Sequence, residues 1–225
     1  MGKMIELTAS DGFKLGAYRA DPVGKPKGGI VVLQEIFGAN EHIRAVADKA
    51  AAAGYLAIAP ALFDRAERDV NWAYTDDTMK AGVGLLGKIK PEDTLKDVEA
   101  ALKAAHEGGK AGIVGFCWGG SLAWVAAAEM PGLDAAVGYY GGRIPAMNAM
   151  APKAPILLHF GERDQGIPMA GVREVEAAHP NVPVYVYPAG HAFNRDPDPT
   201  KYDAPSAKLA WERTMAFLGE KLSGS

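Results

Sequence analysis

The chain's single cysteine lies in a segment whose residue types and spacing could perform nucleophilic chemistry. Residues 115–119 read Gly-Phe-Cys-Trp-Gly, which matches the G-x-nucleophile-x-G spacing of a nucleophile elbow, a sharp turn from a strand into a helix. An elbow would place the sulfur of Cys117 near the positive end of a helix dipole, which favours the thiolate. It would also direct the backbone amide of Trp118 toward a developing oxyanion. The segment therefore predicts a cysteine nucleophile.

Two other interpretations of Cys117 compete with the catalytic one. A lone cysteine among apolar residues is most often a packing residue. Gly115 and Gly119 favour the elbow instead, because a Cβ at either position would meet neighbouring backbone in so sharp a turn. A redox-sensing thiol protein or a thiol peroxidase could use the same activated sulfur. The chain has no second cysteine to resolve a sulfenic acid, so we prefer the catalytic interpretation.

An elbow predicts the other members of a catalytic triad in chain order, an acid after a later strand and a histidine after the last one. The apolar run 155–160 leads into a polar turn that carries Glu162 and Asp164, and placement in that turn favours Asp164. The run 182–187 leads through a tight turn to His191, at the edge of the sheet where active sites of open α/β folds lie. These residues complete a triad with the cysteine, which argues against a catalytically silent binding module.

The other four histidines fit a triad less well. His42 and His106 fall in predicted helices, and His179 lies at a helix end. His159 lies within a predicted strand, where we expect it to pack and to form hydrogen bonds inside the protein. His191 is therefore the predicted catalytic base.

A glutamate follows an apolar strand near the N-terminus, in the run Val-Val-Leu-Gln-Glu-Ile-Phe-Gly of residues 31–38. Burial of Glu35 would require a partner, and two interpretations stay open. The carboxylate could form a structural ion pair with an arginine, or burial could raise its pKa so that it exchanges a proton with the thiol. The amide of Ile36 lies in the loop after this strand, where α/β-hydrolases supply their second oxyanion donor.

The periodicity of the chain predicts the elements that would position these residues. Short apolar runs alternate with longer amphipathic or Ala-rich stretches, which is typical of a largely parallel sheet covered by helices. The predicted strands are 5–8, 14–19, 29–34, 55–59, 112–116, 135–139, 155–160 and 182–187, the first two forming an antiparallel hairpin, and the predicted helices begin near 40, 76, 91, 118, 169 and 205. We expect an α/β-hydrolase fold in which about eight strands, mostly parallel, form the middle of a three-layer α/β/α sandwich. A single domain would span residues 1–225, with the polar segment 64–76 on its surface, where a substrate cover could lie.

Composition and charge limit the classes of partner. The chain is 48% hydrophobic and 23% charged, with a formal net charge of -3. Its lysines and arginines form no basic stripe, so we expect no nucleic-acid partner. No apolar run has the length of a signal peptide core or of a membrane span, so we expect no membrane association. One cysteine permits no internal disulfide, which is compatible with a reducing cytosol. We expect a cytoplasmic protein that acts as a monomer.

Four motifs, in chain order, resemble those of the dienelactone hydrolase family. They are Gln-Glu-Ile-Phe-Gly at 34–38, Gly-Phe-Cys-Trp-Gly-Gly at 115–120, Gly-x-x-Asp at 161–164 and Gly-His-x-Phe-x-Arg at 190–195. The resemblance favours Asp164 over Glu162 as the acid. It implies hydrolysis of dienelactone, an enol-lactone of bacterial catechol and chlorocatechol breakdown, to maleylacetate. It implies no cofactor and no metal, and its small-molecule ester or lactone substrate would be anionic.

The resemblance also implies roles for residues around the triad. Glu35 would hold the resting thiol in check and take its proton when an anionic substrate displaces the carboxylate. Arg195 resembles a clamp for the substrate carboxylate, since a guanidinium can bind a carboxylate through two hydrogen bonds. A solvent-facing arginine near a Pro-Asp turn is the alternative. Phe37 and Ala192 lie in the same motifs and are expected to contact the substrate.

The family uses a second substrate-binding arginine, from the segment after the fourth strand. That segment does not align clearly in this chain, and Arg65 and Arg68 are the candidates. A missing or moved arginine would suit a different or less charged ester.

The expected mechanism is attack of the thiolate on the acyl carbon, with the oxyanion bound by the amides of Trp118 and Ile36. Water activated by His191 would then hydrolyse a thioester intermediate. Thiolate attack suits an ester whose leaving group is a stabilised enolate, and it suits amides poorly, because the leaving nitrogen needs a proton. We therefore expect no peptidase activity. A broader carboxylesterase or thioesterase that acts on activated small esters with the same cysteine mechanism is the alternative function.

Overall fold

A computed structural model of the protein describes residues 2–223, and strands alternate with helices along most of the chain. In chain order the elements are β1 (Lys3–Thr8), β2 (Lys14–Ala20), β3 (Gly29–Leu33), α1 (Glu41–Ala52), β4 (Leu56–Pro60), α2 (Asp76–Leu86), α3 (Pro91–Ala105), β5 (Ala111–Phe116), α4 (Trp118–Glu129), β6 (Ala135–Tyr139), β7 (Ile156–Gly161), α5 (Met169–Ala178), β8 (Val184–Tyr187) and α6 (Ala204–Leu222). Among the described residues, every helix lacks either the length or the apolar character that crossing a bilayer requires.

The strands belong to one eight-stranded sheet, in the order β1-β2-β4-β3-β5-β6-β7-β8. The pairs β1–β2 and β2–β4 are antiparallel, whereas β3–β4, β6–β7 and β7–β8 are parallel. The predicted mostly parallel sheet with an N-terminal hairpin is confirmed. The chain divides into two compact units, residues 2–113 with 222–223, and residues 114–221. The expectation of a single domain stays a prediction.

The first unit contains the hairpin and the helices α1, α2 and α3. Helix α1 packs against β2, β3 and β4, and α3 packs against β3 and β4. Helix α1 begins where the sequence predicts, because the side-chain oxygen of Asn40 accepts a hydrogen bond from the amide of Ile43 at 3.2 Å. Helix α3 begins at Pro91, whose missing amide proton costs nothing in a first turn.

The loop after β3 is fixed by the segment that precedes α2. That segment is partly exposed, as expected, but Val70 is buried and Asn71 forms an isolated antiparallel bridge with Gly38. The amide of Trp72 donates to the carbonyl of Phe37 at 3.1 Å. A Cβ on Gly38, whose φ is 83°, would lie 1.9 Å from the carbonyl oxygen of Val70, so only glycine fits there. The loop therefore has a defined backbone.

The second unit brings the ends of several strands to one edge. Every residue of β6 and β7 is buried, as expected for parallel strands covered on both faces. Helix α4 packs against β6. The loops after β5, β6, β7 and β8 carry Cys117, Tyr140, Asp164 and His191 in that order. Parallel pairing of β6, β7 and β8 gives three of these loops a common edge.

Two glycines of α2 offer a matched test of the packing in the first unit. A Cβ on Gly82 would lie 2.0 Å from the carbonyl oxygen of Ile36, whereas a Cβ on Gly84 would have no heavy atom within 4 Å. We expect Gly82→Ala to lower the free energy of unfolding by about 2 kcal/mol, because backbone must move to admit the methyl group. Gly84→Ala should raise it by up to about 1 kcal/mol through helix propensity. Equilibrium unfolding in urea measures both changes, and equal effects would contradict the close contact at Gly82.

Candidate active site

Three of the predicted site residues meet in the second unit. Nδ1 of His191 lies 2.6 Å from Oδ2 of Asp164, and Nε2 of His191 lies 3.3 Å from Sγ of Cys117. Glu162, the competing acid, is exposed. Cys117, His191 and Asp164 therefore have the arrangement of a nucleophile, a base and an acid that orients the base.

The backbone of Cys117 is strained in the way an elbow requires. Its φ is 55° and its ψ is -113°, a left-handed conformation that residues with a side chain rarely adopt. The amide of Cys117 donates to the carbonyl of Tyr139 at 3.0 Å, and the carbonyl of Cys117 accepts the amide of Ser121 at 3.1 Å. The turn is thus held from the end of β6 and from the first turn of α4.

The glycines of the motif allow this turn to form. A Cβ on Gly115 would lie 1.9 Å from the carbonyl oxygen of Gly119, and a Cβ on Gly120 would lie 2.4 Å from that of Tyr139. Neither distance can accommodate a carbon atom. Trp118 is the first residue of α4, so its amide lies at the positive end of the helix dipole. A backbone amide in this position can donate a hydrogen bond to a developing oxyanion.

The acid and the base form a largely buried charged pair. The Asp164 side chain is fully buried, and it also accepts a hydrogen bond from the amide of Gly166 at 2.9 Å. Burial lowers the pKa of His191, but its hydrogen bond to Asp164 and the hydrogen bond and charge of Cys117 outweigh burial and raise the pKa to about 10. These contacts favour the protonated imidazole, whose Nδ1 faces the carboxylate and whose Nε2 faces the sulfur.

Aromatic side chains hold the imidazole in place. Tyr140, with a φ of 37°, and Ala192, with a φ of 61°, are left-handed like Cys117. The ring of Tyr140 lies 5.1 Å from that of His191 and 5.3 Å from that of Phe193. Tyr140 is not among the predicted site residues. Tyr140 could be predicted from its position directly after β6, because the loops that carry the other site residues lie at the same edge of the sheet.

The predicted site residues of the first unit lie in the loop after β3. Glu35 is 1% exposed, and Phe37 is buried with its ring 4.7 Å from that of Tyr74 in a T-shaped arrangement. The side chain of Gln34, which is not a predicted site residue, donates to the carbonyl of Glu35 at 3.1 Å and accepts the amide of Leu62 at 3.0 Å. The carbonyl of Glu35 and the amide of Ile36 share one planar peptide group. Gln34 therefore fixes the direction of the Ile36 amide.

Comparison with known proteins identifies the family. The sequence model of the dienelactone hydrolase family matches residues 15–222. The chain belongs to this family. It is 35% identical to the carboxymethylenebutenolidase of Pseudomonas putida, over 95% of this chain and 94% of the relative. It is 38% identical to a protein of Escherichia coli (strain K12), provisionally named a carboxymethylenebutenolidase, over 93% of this chain and 83% of the relative.

A solved structure supports the same conclusion. The crystal structure of a protein from Klebsiella pneumoniae subsp. pneumoniae, provisionally named a dienelactone hydrolase, matches with a TM-score of 0.85 and 32% identity, over 98% of this chain and 99% of that one. The predicted family and the α/β-hydrolase fold are confirmed. The chain is therefore a hydrolase that acts on ester or lactone bonds.

In this member of the dienelactone hydrolase family, the predicted substrate clamp is a buried arginine. Arg195 is 7% exposed, and its Nη1 donates to Oδ2 of Asp198 at 3.2 Å. Burial raises the pKa of Asp198, but hydrogen bonds from Thr200 and from Arg195 outweigh burial and lower it. The solvent-facing alternative for Arg195 is therefore wrong, and Asp198 holds the guanidinium as a charged partner.

The two candidates for a second arginine have different surroundings. Arg65 donates from Nε and Nη2 to the two carboxylate oxygens of buried Asp97, both at 2.8 Å, and its Nη1 lies 3.0 Å from Oδ2 of Asp11. Its guanidinium is thus engaged in a structural ion-pair cluster. Arg68 is more than half exposed, and it donates to the carbonyl of Lys14 at 2.8 Å.

The contribution of the sulfur to the charge of His191 can be measured by titration. Because the hydrogen bond and charge of Cys117 raise the pKa of His191, Cys117→Ala should lower that pKa by at least about one unit. NMR titration of the imidazole, assigned with His191→Gln, measures the change. In the wild type, His191 should stabilise the fold fully below pH 6.5, and this contribution should be lost as the pH rises toward about 10. An unchanged pKa in Cys117→Ala would contradict a contribution of the sulfur to the charge of His191.

Proposed function

We propose that this chain hydrolyses dienelactone to maleylacetate, in the breakdown of catechols and chlorocatechols, through a thioester on Cys117. The observation that carries the proposal is the series of contacts from Cys117 through His191 to buried Asp164. Membership of the dienelactone hydrolase family supports the choice of a lactone as substrate. The relative from Pseudomonas putida bears the name carboxymethylenebutenolidase, which supports the same choice.

The first step is attack of the Cys117 thiolate on the acyl carbon of the lactone. The new C–S bond moves an electron pair onto the carbonyl oxygen, which the Trp118 amide at the start of α4 stabilises. The family resemblance supplies the Ile36 amide as the second donor. The tetrahedral intermediate then collapses, the ring C–O bond breaks, and the oxygen leaves as an enolate. A delocalised enolate can leave without a proton, which is why a thiolate suffices as nucleophile.

The second step is hydrolysis of the thioester, and the change of charge at the sulfur prepares His191 for it. In the acyl-enzyme the sulfur carries no charge, so two of the contributions that raise the pKa of His191 are lost while burial still lowers it. The imidazolium gives its proton to the enolate, and the neutral imidazole accepts a proton from water. The resulting hydroxide attacks the thioester. The acid product departs, and the thiolate and the imidazolium are restored.

The substrate that fits this mechanism carries a carboxylate. Arg195 would bind that carboxylate through paired hydrogen bonds, which a guanidinium can form and an ammonium cannot. Ala192, between His191 and Arg195 in the same loop, would contact the lactone. The buried setting of Arg195 supports this role, because a charge pair is stronger where water is excluded.

Steady-state assays against cis- and trans-dienelactone and p-nitrophenyl acetate test the proposal. We expect wild type to turn over lactone, and Cys117→Ala to lose at least about a thousandfold of kcat/KM on every substrate, because the nucleophile is gone. Turnover of the simple ester alone would keep the cysteine mechanism and assign the chain to the broader carboxylesterases. Undiminished activity of Cys117→Ala would contradict the mechanism. Arg195→Gln serves as the control for charge, since it should raise KM for the anionic lactone by about tenfold and leave KM for the neutral ester unchanged.

The proposed role of Glu35 requires a separate measurement. Glu35→Gln keeps the shape of the side chain and removes its acid group. If Glu35 takes the thiol proton when an anionic substrate arrives, kcat for the lactone should fall by at least about tenfold and kcat for p-nitrophenyl acetate should change less. Glu162→Gln, which alters an exposed glutamate, is the matched control. Equal losses on the two substrates would show that Glu35 acts only as a structural residue.

A further inference from the structure

A connected group of polar side chains, all buried except half-buried Arg213, lies in the second unit. The Thr214 hydroxyl on α6 lies 2.7 Å from the Tyr139 hydroxyl and 2.9 Å from Nε2 of His159. Nδ1 of His159 lies 2.9 Å from the Tyr187 hydroxyl, which accepts a hydrogen bond from Nη1 of Arg213 at 3.2 Å. We call these five residues the Thr214 network. The mechanism above uses none of them.

One hydrogen-bond direction in the Thr214 network follows from its cation. A guanidinium can only donate, so the Tyr187 hydroxyl accepts from Arg213. Burial lowers the pKa of His159 to about 3, with a smaller effect from Arg213, so the imidazole is neutral. A neutral imidazole has one donor and one acceptor nitrogen, so His159 donates to one of the hydroxyls of Tyr187 and Thr214 and accepts from the other. Burial raises the pKa of Tyr139, so the phenol stays neutral as well.

The backbone of the same residues holds the strained parts of the active site. The carbonyl of Tyr139 accepts the amide of Cys117 at 3.0 Å, and the carbonyl of His159 accepts the amide of Tyr140 at 2.7 Å. Cys117 and Tyr140 are both left-handed, and the ring of Tyr140 lies against His191. Left-handed residues with side chains persist only where the surroundings fix them firmly. The carbonyls of Tyr139 and His159 provide that constraint, and the side chains of these two residues both contact the Thr214 hydroxyl.

We propose that Thr214 is a positioning residue for the reaction. Its hydroxyl fixes the side chains of Tyr139 and His159, and thereby the two carbonyls that hold Cys117 and Tyr140. Through these contacts Thr214 sets the distance between the sulfur and the imidazole, on which activation of the sulfur depends. The inference rests on the proposed function of Cys117 as the nucleophile.

Two substitutions of Thr214 separate its hydroxyl from its shape. Thr214→Val has nearly the same volume and no hydroxyl, whereas Thr214→Ser keeps the hydroxyl and loses a methyl group. The rate of Cys117 alkylation by iodoacetamide, followed across the pH range, reports how readily the thiolate forms. We expect Thr214→Val to lower the alkylation rate at neutral pH by about tenfold and to shift the midpoint of the alkylation profile to higher pH. The same variant should lower kcat for p-nitrophenyl acetate by about tenfold and leave KM within about twofold of wild type. Thr214→Ser should recover both rates to within about threefold of wild type.

Thermal unfolding distinguishes positioning from stability. If Thr214→Val is less stable but is alkylated with the wild-type rate and pH profile, the hydroxyl is only structural and the proposal is overturned. If Thr214→Val does not fold, Tyr139→Phe removes one phenolic oxygen and keeps the carbonyl that holds Cys117, and a wild-type profile in that variant would also overturn the proposal. Alkylation needs no ester. A wild-type chain that hydrolyses none of the esters would therefore defeat the proposed function and leave this test intact.

Discussion

Cys117 has a left-handed backbone that a residue with a side chain normally avoids, and the rest of the site is arranged around this constraint. One residue in that conformation turns the chain from β5 into α4 and leaves the sulfur outside both elements. The turn requires glycine at 115 and 120, because a Cβ at these positions would lie only 1.9 Å and 2.4 Å, respectively, from a backbone carbonyl oxygen. The close approach of Gly120 to the Tyr139 carbonyl therefore sets the spacing of α4 against β6. A single methyl group in this contact would move the sulfur.

The same turn places the sulfur at one end of a series of titratable side chains. Cys117, His191 and Asp164 contact one another in that order, and the Asp164 carboxylate is fully buried. An isolated carboxylate there would be strongly unfavourable, but Asp164 accepts hydrogen bonds from His191 and from Gly166. In the proposed mechanism, the imidazolium in turn stabilises the thiolate, which forms near the start of α4. Because every charge has a fixed donor or acceptor, a proton can leave or join the series without reorganisation of the site.

Much of this site could be predicted from the sequence because its requirements are local. The glycine spacing around Cys117 is a condition on six consecutive residues, 115–120, and Asp164 and His191 follow their strands at short distances. A strand boundary differs from the prediction where a proline interrupts the ladder. β8 begins at Val184, two residues later than predicted, because Pro183 has no amide proton for the ladder and contributes only its carbonyl, to the amide of Leu158.

The contacts that fix these local motifs could not be predicted, because they join distant parts of the chain. A histidine in a buried strand is expected to have a hydrogen-bond partner, but the sequence does not indicate which residue that is. The partner, Thr214, is 55 residues from His159 and 75 residues from Tyr139 along the chain. What brings them together is the register of the sheet, which places Tyr139 opposite His159 on neighbouring strands. A slip of one residue would turn one side chain of the pair to the other face and leave buried polar groups without partners. The polar network therefore disfavours every other register, just as the register makes the network possible.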